Sequence, residues 1–268
     1  MRRGLLRTSA LGCRTLLLLI ACLVAGALGR AVLGQPPDDS VIELVASGRE
    51  AIVNVGPQIE LQLADGGTLV LSSIIVPETA ADGASSALAA LLEQPMIVVE
   101  STAPADRYGR LPAQAATPDG RSLQAALLEQ GLALVQPLPG ADGAVLTQLL
   151  AAEARAEGEG RGLWRSPGQV VVDSAVETAG QALGRFVLLE GRVLQASEQQ
   201  RYLYLNFGTD WRTDTTARID KDTLHAMQQA GFDPLALEGE RVRLRGTLFA
   251  ANGPMIELWT HMGIEILP

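Results

Sequence analysis

Apolar and polar positions along the chain fall into short extended segments broken by a few helices. Val41 to Val45 and Ala51 to Val55 are apolar and β-branched and read as strands. Ile59-Glu60-Leu61-Gln62-Leu63 alternates strictly, which predicts a half-buried strand, and Asp65-Gly66-Gly67 supplies a hairpin turn after it. Leu69 to Val76 is a nearly continuous apolar run that reads as one strand ending at Pro77. Ser85 to Leu92 has helical spacing and precedes a strand at Met96 to Glu100. The sheet continues around Tyr108-Gly109-Arg110 and Ala113-Gln114-Ala115, with a turn at Pro118-Asp119-Gly120. Helices are predicted over Leu123 to Gln130 and Leu146 to Glu157, before Gly160-Arg161-Gly162-Leu163-Trp164.

The second half repeats this style. Val170 to Ala182 starts strand-like and then turns small and polar, as a linker would, with a boundary near Ala179-Gly180. Arg185 to Leu194 reads as a strand bent at Gly191. Arg201 to Phe207 alternates aromatic or polar residues with leucine, and Thr213 to Ile219 is a third strand. A helix over Asp222 to Ala230 has Asp220 as N-cap and Gly231 past its end. Arg241 to Phe249 and Met255 to Leu258 form a hairpin about Asn252-Gly253, and Ile264 to Ile266 closes the chain. Three strands, a helix and two strands is the order of an oligonucleotide/oligosaccharide-binding (OB) barrel. The expected fold is mainly β with short helices: two tandem OB-fold-like barrels, at residues 40–168 and 180–268.

Charge and the amino terminus narrow the function. Arg2, Arg3, Arg7 and Arg14 precede an apolar run from Leu16 to Leu28, followed by small residues, which is the layout of a secretory signal. Residues 1–34 are therefore expected to be a signal peptide or, if uncleaved, an N-terminal membrane anchor, and the protein to be exported, periplasmic or secreted. Those residues hold five arginines and no acid, so the rest of the chain carries all 30 acids against 16 basic residues. Residues 35–179 alone hold 19 acids and seven arginines. Polyanion binding needs cations to displace counterions, so nucleic acid is an unfavourable partner for this first part. Both cysteines, Cys13 and Cys22, lie in the leader, which leaves no thiolate metal site or disulfide downstream.

Four short motifs stand in order: Pro77-Glu78-Thr79, Tyr108-Gly109-Arg110, Gly131-Leu132-Ala133 and Gly162-Leu163-Trp164. Together they resemble the staphylococcal nuclease (thermonuclease-like) family, whose activity is calcium-dependent phosphodiester cleavage. The resemblance implies Glu78 at the position of the water-orienting glutamate and Arg110 at one of two phosphate-clamping arginines. It also puts Arg107 and Tyr108 where the family contacts the nucleotide phosphate. The remaining positions depart from the pattern. Val70 stands at the second arginine, and Pro57 and Ile75 stand at calcium-binding acids. None of these side chains has an oxygen to give a hard cation. Losing one oriented donor costs on the order of 100- to 1000-fold in rate, and losing the cation removes the charge-neutralising device. No cofactor and no metal are therefore expected. Glu78 and Arg110 are then expected to persist as a helix-capping residue and half of an ion pair.

The second half offers another surface. Tyr202, Tyr204, Phe207, Trp211 and Arg212, with Arg241, Arg243 and Arg245 on one face of a strand, combine aromatics with arginines. Such a face suits single-stranded nucleic acid or a glycan, although strand aromatics also simply pack barrels. His225 and His261 have no partner at metal-ligand spacing. The expected function is a degenerate nuclease relative, a bacterial pseudoenzyme, that binds or scaffolds in the cell envelope, with an envelope protein or glycan as partner. The competing expectations are a calcium-dependent or weak metal-independent phosphodiesterase resting on Glu78, Arg107, Tyr108 and Arg110, and ligand binding by the second half alone.

Overall fold

The computed structural model describes residues 48–56, 59–92 and 96–268. The leader, the strand expected at Val41 to Val45, and Pro57 lie outside the described residues. The first part contains β1 (Gly48–Val55), β2 (Glu60–Leu63), β3 (Thr68–Leu71), β4 (Ile74–Ile75), β5 (Met96–Ser101), β6 (Arg110–Ala116) and β7 (Leu134–Val135). Five of these close into a barrel in the order β1-β2-β3-β6-β5. The pair β3–β6 is parallel and the others are antiparallel. In β2 the alternation works as expected, with Leu61 and Leu63 buried between half-buried Glu60 and Gln62.

The apolar run from Leu69 to Val76 is two strands, not one. Ser72 and Ser73 turn the chain with Ser73 at φ 63°, and buried Gln114 donates from Nε2 to the Ser72 hydroxyl at 3.1 Å. Once past this corner, β4 leaves the barrel and pairs with β7. A buried polar corner needs hydrogen-bond partners from elsewhere in the chain, so the apolar count alone does not reveal it.

Three helices support the barrel: α1 (Ala81–Leu91), α2 (Leu123–Glu129) and α3 (Gly143–Gly158). Ser122 caps α2 by accepting from Ala125 N–H at 3.1 Å, and Asp142 caps α3 by accepting from Ala144 and Val145 N–H. Fully buried Gln124 fastens α2 to β6, accepting from Ala115 N–H at 3.2 Å and donating to Ala113 C=O at 2.9 Å. Leu61, Leu69, Leu88, Ile97, Leu127 and Leu149 share one core, each contributing about 1.5–3 kcal/mol by burial.

The second sheet comprises β8 (Val171–Asp173), β9 (Phe186–Arg192), β10 (Gln195–Glu198), β11 (Tyr202–Asn206), β12 (Thr216–Asp220), β13 (Arg241–Ala250), β14 (Pro254–Glu257) and β15 (Ile264–Leu267), with α4 (Val176–Gly180) and α5 (Lys221–Gln229). Its path is β10-β11-β12-β14-β13-β9-β8, with β15 on β13. This ladder is not closed by hydrogen bonds, which corrects the expectation of a second barrel like the first. The physical reason lies between Arg192 and Gln195, where the extended chain breaks. β9 stays on β13 while β10 moves to β11. The strand order otherwise repeats that of the first sheet. A helix follows the third strand, and the last strand of the closing hairpin joins that third strand in parallel, β3–β6 in one and β12–β14 in the other. The stretch expected as a linker supplies β8, parallel to β9, and buries Ala179 and Ala182 in the second core.

A third apolar cluster joins the two parts: Leu134 of β7, Ala156 of α3, Leu163, Trp164 and Leu188 of β9, with Ile75 and Phe186 packed against it. Charge reinforces the same junction. Glu153 of α3 accepts from Val135 N–H at 2.8 Å and pairs with Arg245 of β13 at 2.5 Å. Burial pushes the Glu153 carboxyl up, against the pull of Arg245 and the Val135 N–H. Among the described residues, no helix is long and apolar enough to cross a membrane.

Candidate functional site

The segment Asp106 to Arg110 is a self-capped turn. Asp106 Oδ1 accepts from the N–H groups of Tyr108 at 2.8 Å and Arg110 at 3.0 Å, and Asp106 N–H donates to Arg110 C=O at 2.8 Å. The Arg110 side chain returns to the same carboxylate, with Nε 2.8 Å from Asp106 Oδ2. Its Nη1 lies 3.0 Å from Glu60 Oε1 on β2. Donating to the Glu60 and Asp106 carboxylates holds the Arg110 guanidinium further into its protonated form. Partial desolvation pulls the Asp106 carboxyl up, but the Arg110 and Tyr108 N–H groups and the Arg110 guanidinium outweigh it and hold it below the usual carboxylate range. Arg110 thus closes a turn and fastens β6 to β2, with two carboxylates already on its donors.

Tyr108 stands 67% exposed above this turn. The Arg107 and Arg110 guanidinium carbons lie 4.8 and 5.3 Å from its ring centre. Arg107 is exposed.

Glu78 is exposed at the start of a single 3-10 turn, Glu78–Ala80, that runs directly into α1. An acid there faces the positive end of the helix dipole. No hydrogen bond or ion pair joins Glu78 to Arg110, whose described partners are Glu60 and Asp106. Val70 is half-buried on β3 opposite Glu60 and Pro112. Ile75 packs into the apolar cluster that joins the two parts. The position that the resemblance gives to a calcium-binding acid is a hydrophobic contact here. Among the described residues, no group of three His, Cys, Asp or Glu side chains is placed to hold a metal ion.

The two glycine motifs meet in space. Gly131 has φ +67° and Gly162 φ +52°, and each backbone presses on the other. A Cβ on Gly131 would lie 2.2 Å from Arg161 C=O, and one on Gly162 would lie 2.3 Å from Gly131 C=O. Leu163 N–H donates to Gly131 C=O at 2.8 Å. The crossing seats Leu163 and Trp164 in the junction cluster, so these motifs brace the fold.

The structure divides the second candidate face. Tyr202 and Tyr204 sit on one side of β11, with ring centres 5.9 Å apart. Arg218 lies 5.0 Å from the Tyr202 ring and pairs with Glu257 through two bonds of 3.0 Å. Tyr204 instead lines a groove of about 490 Å³ with Trp211, which is 57% exposed. Arg212 stacks 4.5 Å from the Trp211 ring and lies 4.0 Å from Asp210. Phe207 packs against the second core.

Arg243 is elsewhere. Its buried guanidinium is held by Glu190 at 2.7 Å, Glu157 of α3 at 2.9 Å and Glu265 at 3.5 Å. Burial opposes its charge, but the Glu157 and Glu190 carboxylates more than compensate and push its ionisation well upward. Arg241 pairs with Glu190 at 3.1 Å. Alternation correctly put these arginines on one face, but it could not show that the face meets α3. Sequence reasoning also missed the neutral residues of the groove: Gln195, Asn206, Thr216 and Asn252. Gln195-Ala196-Ser197-Glu198-Gln199 does place three polar side chains two apart, a signal that passes unnoticed when only charged and aromatic residues are sought.

No curated protein sequence matches the chain. The family model described as staphylococcal nuclease homologue matches residues 68–166, which run from β3 past α3 and contain the Glu78 turn, the Asp106–Arg110 turn and the Gly131–Gly162 crossing. With the four motifs folded into one barrel-and-helix unit, residues 68–166 form a staphylococcal nuclease homologue domain.

Proposed function

We propose that this protein is a non-catalytic binding or scaffolding module built on a nuclease-homologue domain, exported by its amino-terminal segment and acting in the cell envelope. The observation that carries this reading is the state of Arg110. A phosphate-clamping arginine aims its N–H donors at the phosphate oxygens, and Arg110 already aims Nε, Nη1 and Nη2 at the carboxylates of Glu60 and Asp106. Two acidic groups beside it would also repel an incoming phosphate. Calcium does not fit the residues present, because it takes six to eight oxygen ligands, and the Pro57 and Ile75 side chains bring none. Ile75 is moreover committed to apolar packing. The excess of acids in this part of the chain opposes nucleic acid as a partner.

A cleavage assay on single-stranded DNA, with and without calcium, tests this reading. The expected result is no turnover above background and no difference between the wild type and Arg110→Ala. Calcium-stimulated cleavage abolished by Arg110→Ala would replace the proposal with a phosphodiesterase that uses Glu78, Arg107, Tyr108 and Arg110. Calcium-independent cleavage lost in the same variant would favour the weak, metal-independent form.

A further inference from the structure

The groove beside β11 has a lining different in kind from the charged junction and the Arg110 turn. Tyr204 and Trp211 supply aromatic surface, and Gln195, Asn206, Thr216 and Asn252 supply amides and a hydroxyl. Among the described residues, no charged side chain lines it. Its volume of about 490 Å³ falls within the roughly 300–1,000 Å³ common for small-ligand sites.

Two of its polar groups are buried and already set. Thr216 Oγ1 donates to Asn206 Oδ1 at 3.2 Å, and Asn206 and Thr216 are 7% and 3% exposed. With its oxygen engaged, Asn206 keeps its amide N–H groups as donors.

The loop that carries Trp211 is also held in place. Asp210 C=O accepts from the N–H groups of Thr213 at 2.9 Å and Asp214 at 3.0 Å. The Asn252-Gly253 hairpin tip is wedged against the same loop, where a Cβ on Gly253 would lie 2.3 Å from Thr213 C=O. A tryptophan that is more than half exposed on a fixed loop loses hydrophobic stabilisation in the free protein and keeps its face ready for a ligand.

We propose that this groove binds a neutral oligosaccharide. A sugar offers hydroxyls that both donate and accept, which match amides and a threonine hydroxyl. Its C–H faces lie flat on tryptophan and tyrosine rings, which join apolar area to a polar edge. A polyanion fits less well because it needs available cations along its path. From residue 180 onward, Arg212, Arg218, Lys221, Arg241, Arg243 and Arg245 are ion-paired to carboxylates. Arg185 and Arg192 donate to the Gln169 and Gly239 carbonyls, which leaves exposed Arg201 as a lone cation with neither kind of partner among the described residues.

This inference rests on the reading of the chain as a binding module, yet the two fail separately. DNA cleavage addresses the first sheet, and saccharide binding addresses the second. Calorimetry and tryptophan fluorescence on the full chain, titrated with chitotetraose, maltotetraose and a short oligothymidylate at low and high salt, test it. At least one tetrasaccharide should bind with little dependence on salt. Trp211→Ala should weaken that binding by roughly tenfold or more with little change in melting temperature, since the side chain is exposed. Gln195→Ala, an exposed position on β10, should weaken it several-fold and serves as a second probe. Failure of both tetrasaccharides to bind the wild type would overturn the proposal. So would saccharide binding untouched by both substitutions, or salt-sensitive oligothymidylate binding in place of saccharide binding.

Discussion

The Asp106–Arg110 turn of the first sheet and the Tyr204–Trp211 groove of the second both expose an aromatic ring beside an arginine, but they differ in what remains unpaired. At the turn, Arg110 Nε, Nη1 and Nη2 each meet Glu60 or Asp106, and Asp106 spends its other oxygen on two backbone N–H groups. At the groove, the described lining residues are uncharged and include the amides of Gln195, Gln199, Asn206 and Asn252. Residues that match a catalytic motif can thus be occupied in holding a turn together, while residues that match no motif leave binding capacity open. Possession of an arginine says less than the number of its donors that are still free.

The largest test of this contrast lies at the junction between the sheets, because Arg243 looked like a ligand contact in the sequence and is an internal brace in the fold. Arg243→Ala strands Glu190 and Glu157 and should destabilise the protein by about 3–5 kcal/mol, read as a lower urea midpoint. A ligand-facing arginine would instead change binding and leave the midpoint alone.

Ile75→Asp comes next. It restores the residue type that the nuclease resemblance places there, yet it puts a carboxylate into the Leu134–Trp164–Leu188 cluster. A loss of roughly 3 kcal/mol is expected, with no recovery when calcium is added. A melting temperature that rises with calcium in this variant would mean that a cation pocket survives around it.

Gly253→Ala should act on the groove through its frame. At φ +98° and with the Thr213 carbonyl in its way, an added Cβ should cost roughly 2 kcal/mol. It should also displace the Trp211 loop, so tetrasaccharide affinity and stability fall together. Trp211→Ala should lower affinity alone.

The smallest effect concerns pH. The Asp106 carboxyl titrates below its unfolded value, so its contribution is present above the ordinary carboxylate range and is lost as pH falls through its folded value. NMR should show the Tyr108 and Arg110 amide resonances moving together in acid while the Trp211 loop does not follow that titration. Unchanged Tyr108 and Arg110 amides across that range would mean that Asp106 does not hold the turn.

Much of the fold was legible because its rules are local. Strict alternation over Ile59 to Leu63 and Arg201 to Phe207, an aspartate before a helix at Asp220, and Asn252-Gly253 between two strands each depend on neighbours a few residues away. The order of four motifs was likewise enough to point to the family whose model matches residues 68–166. The break at Ser72-Ser73 was not legible, because it depends on Gln114 reaching across 42 residues. Strand β10 was hidden in a polar stretch whose partner, β11, decides that it is extended.

The chain by itself therefore determined which segments extend or coil, where the glycines must stand, and that Val70, Pro57 and Ile75 have no oxygen for a cation. Only the tertiary structure decided which charges are spent. Arg110 meets Glu60 across 50 residues and Arg243 meets Glu157 across 86. An ion pair's strength depends on distance and burial, and neither is written in spacing. The same holds for the groove, where Gln195, Trp211 and Asn252 come from three separate segments and acquire a common purpose only when the sheet brings them to one cleft.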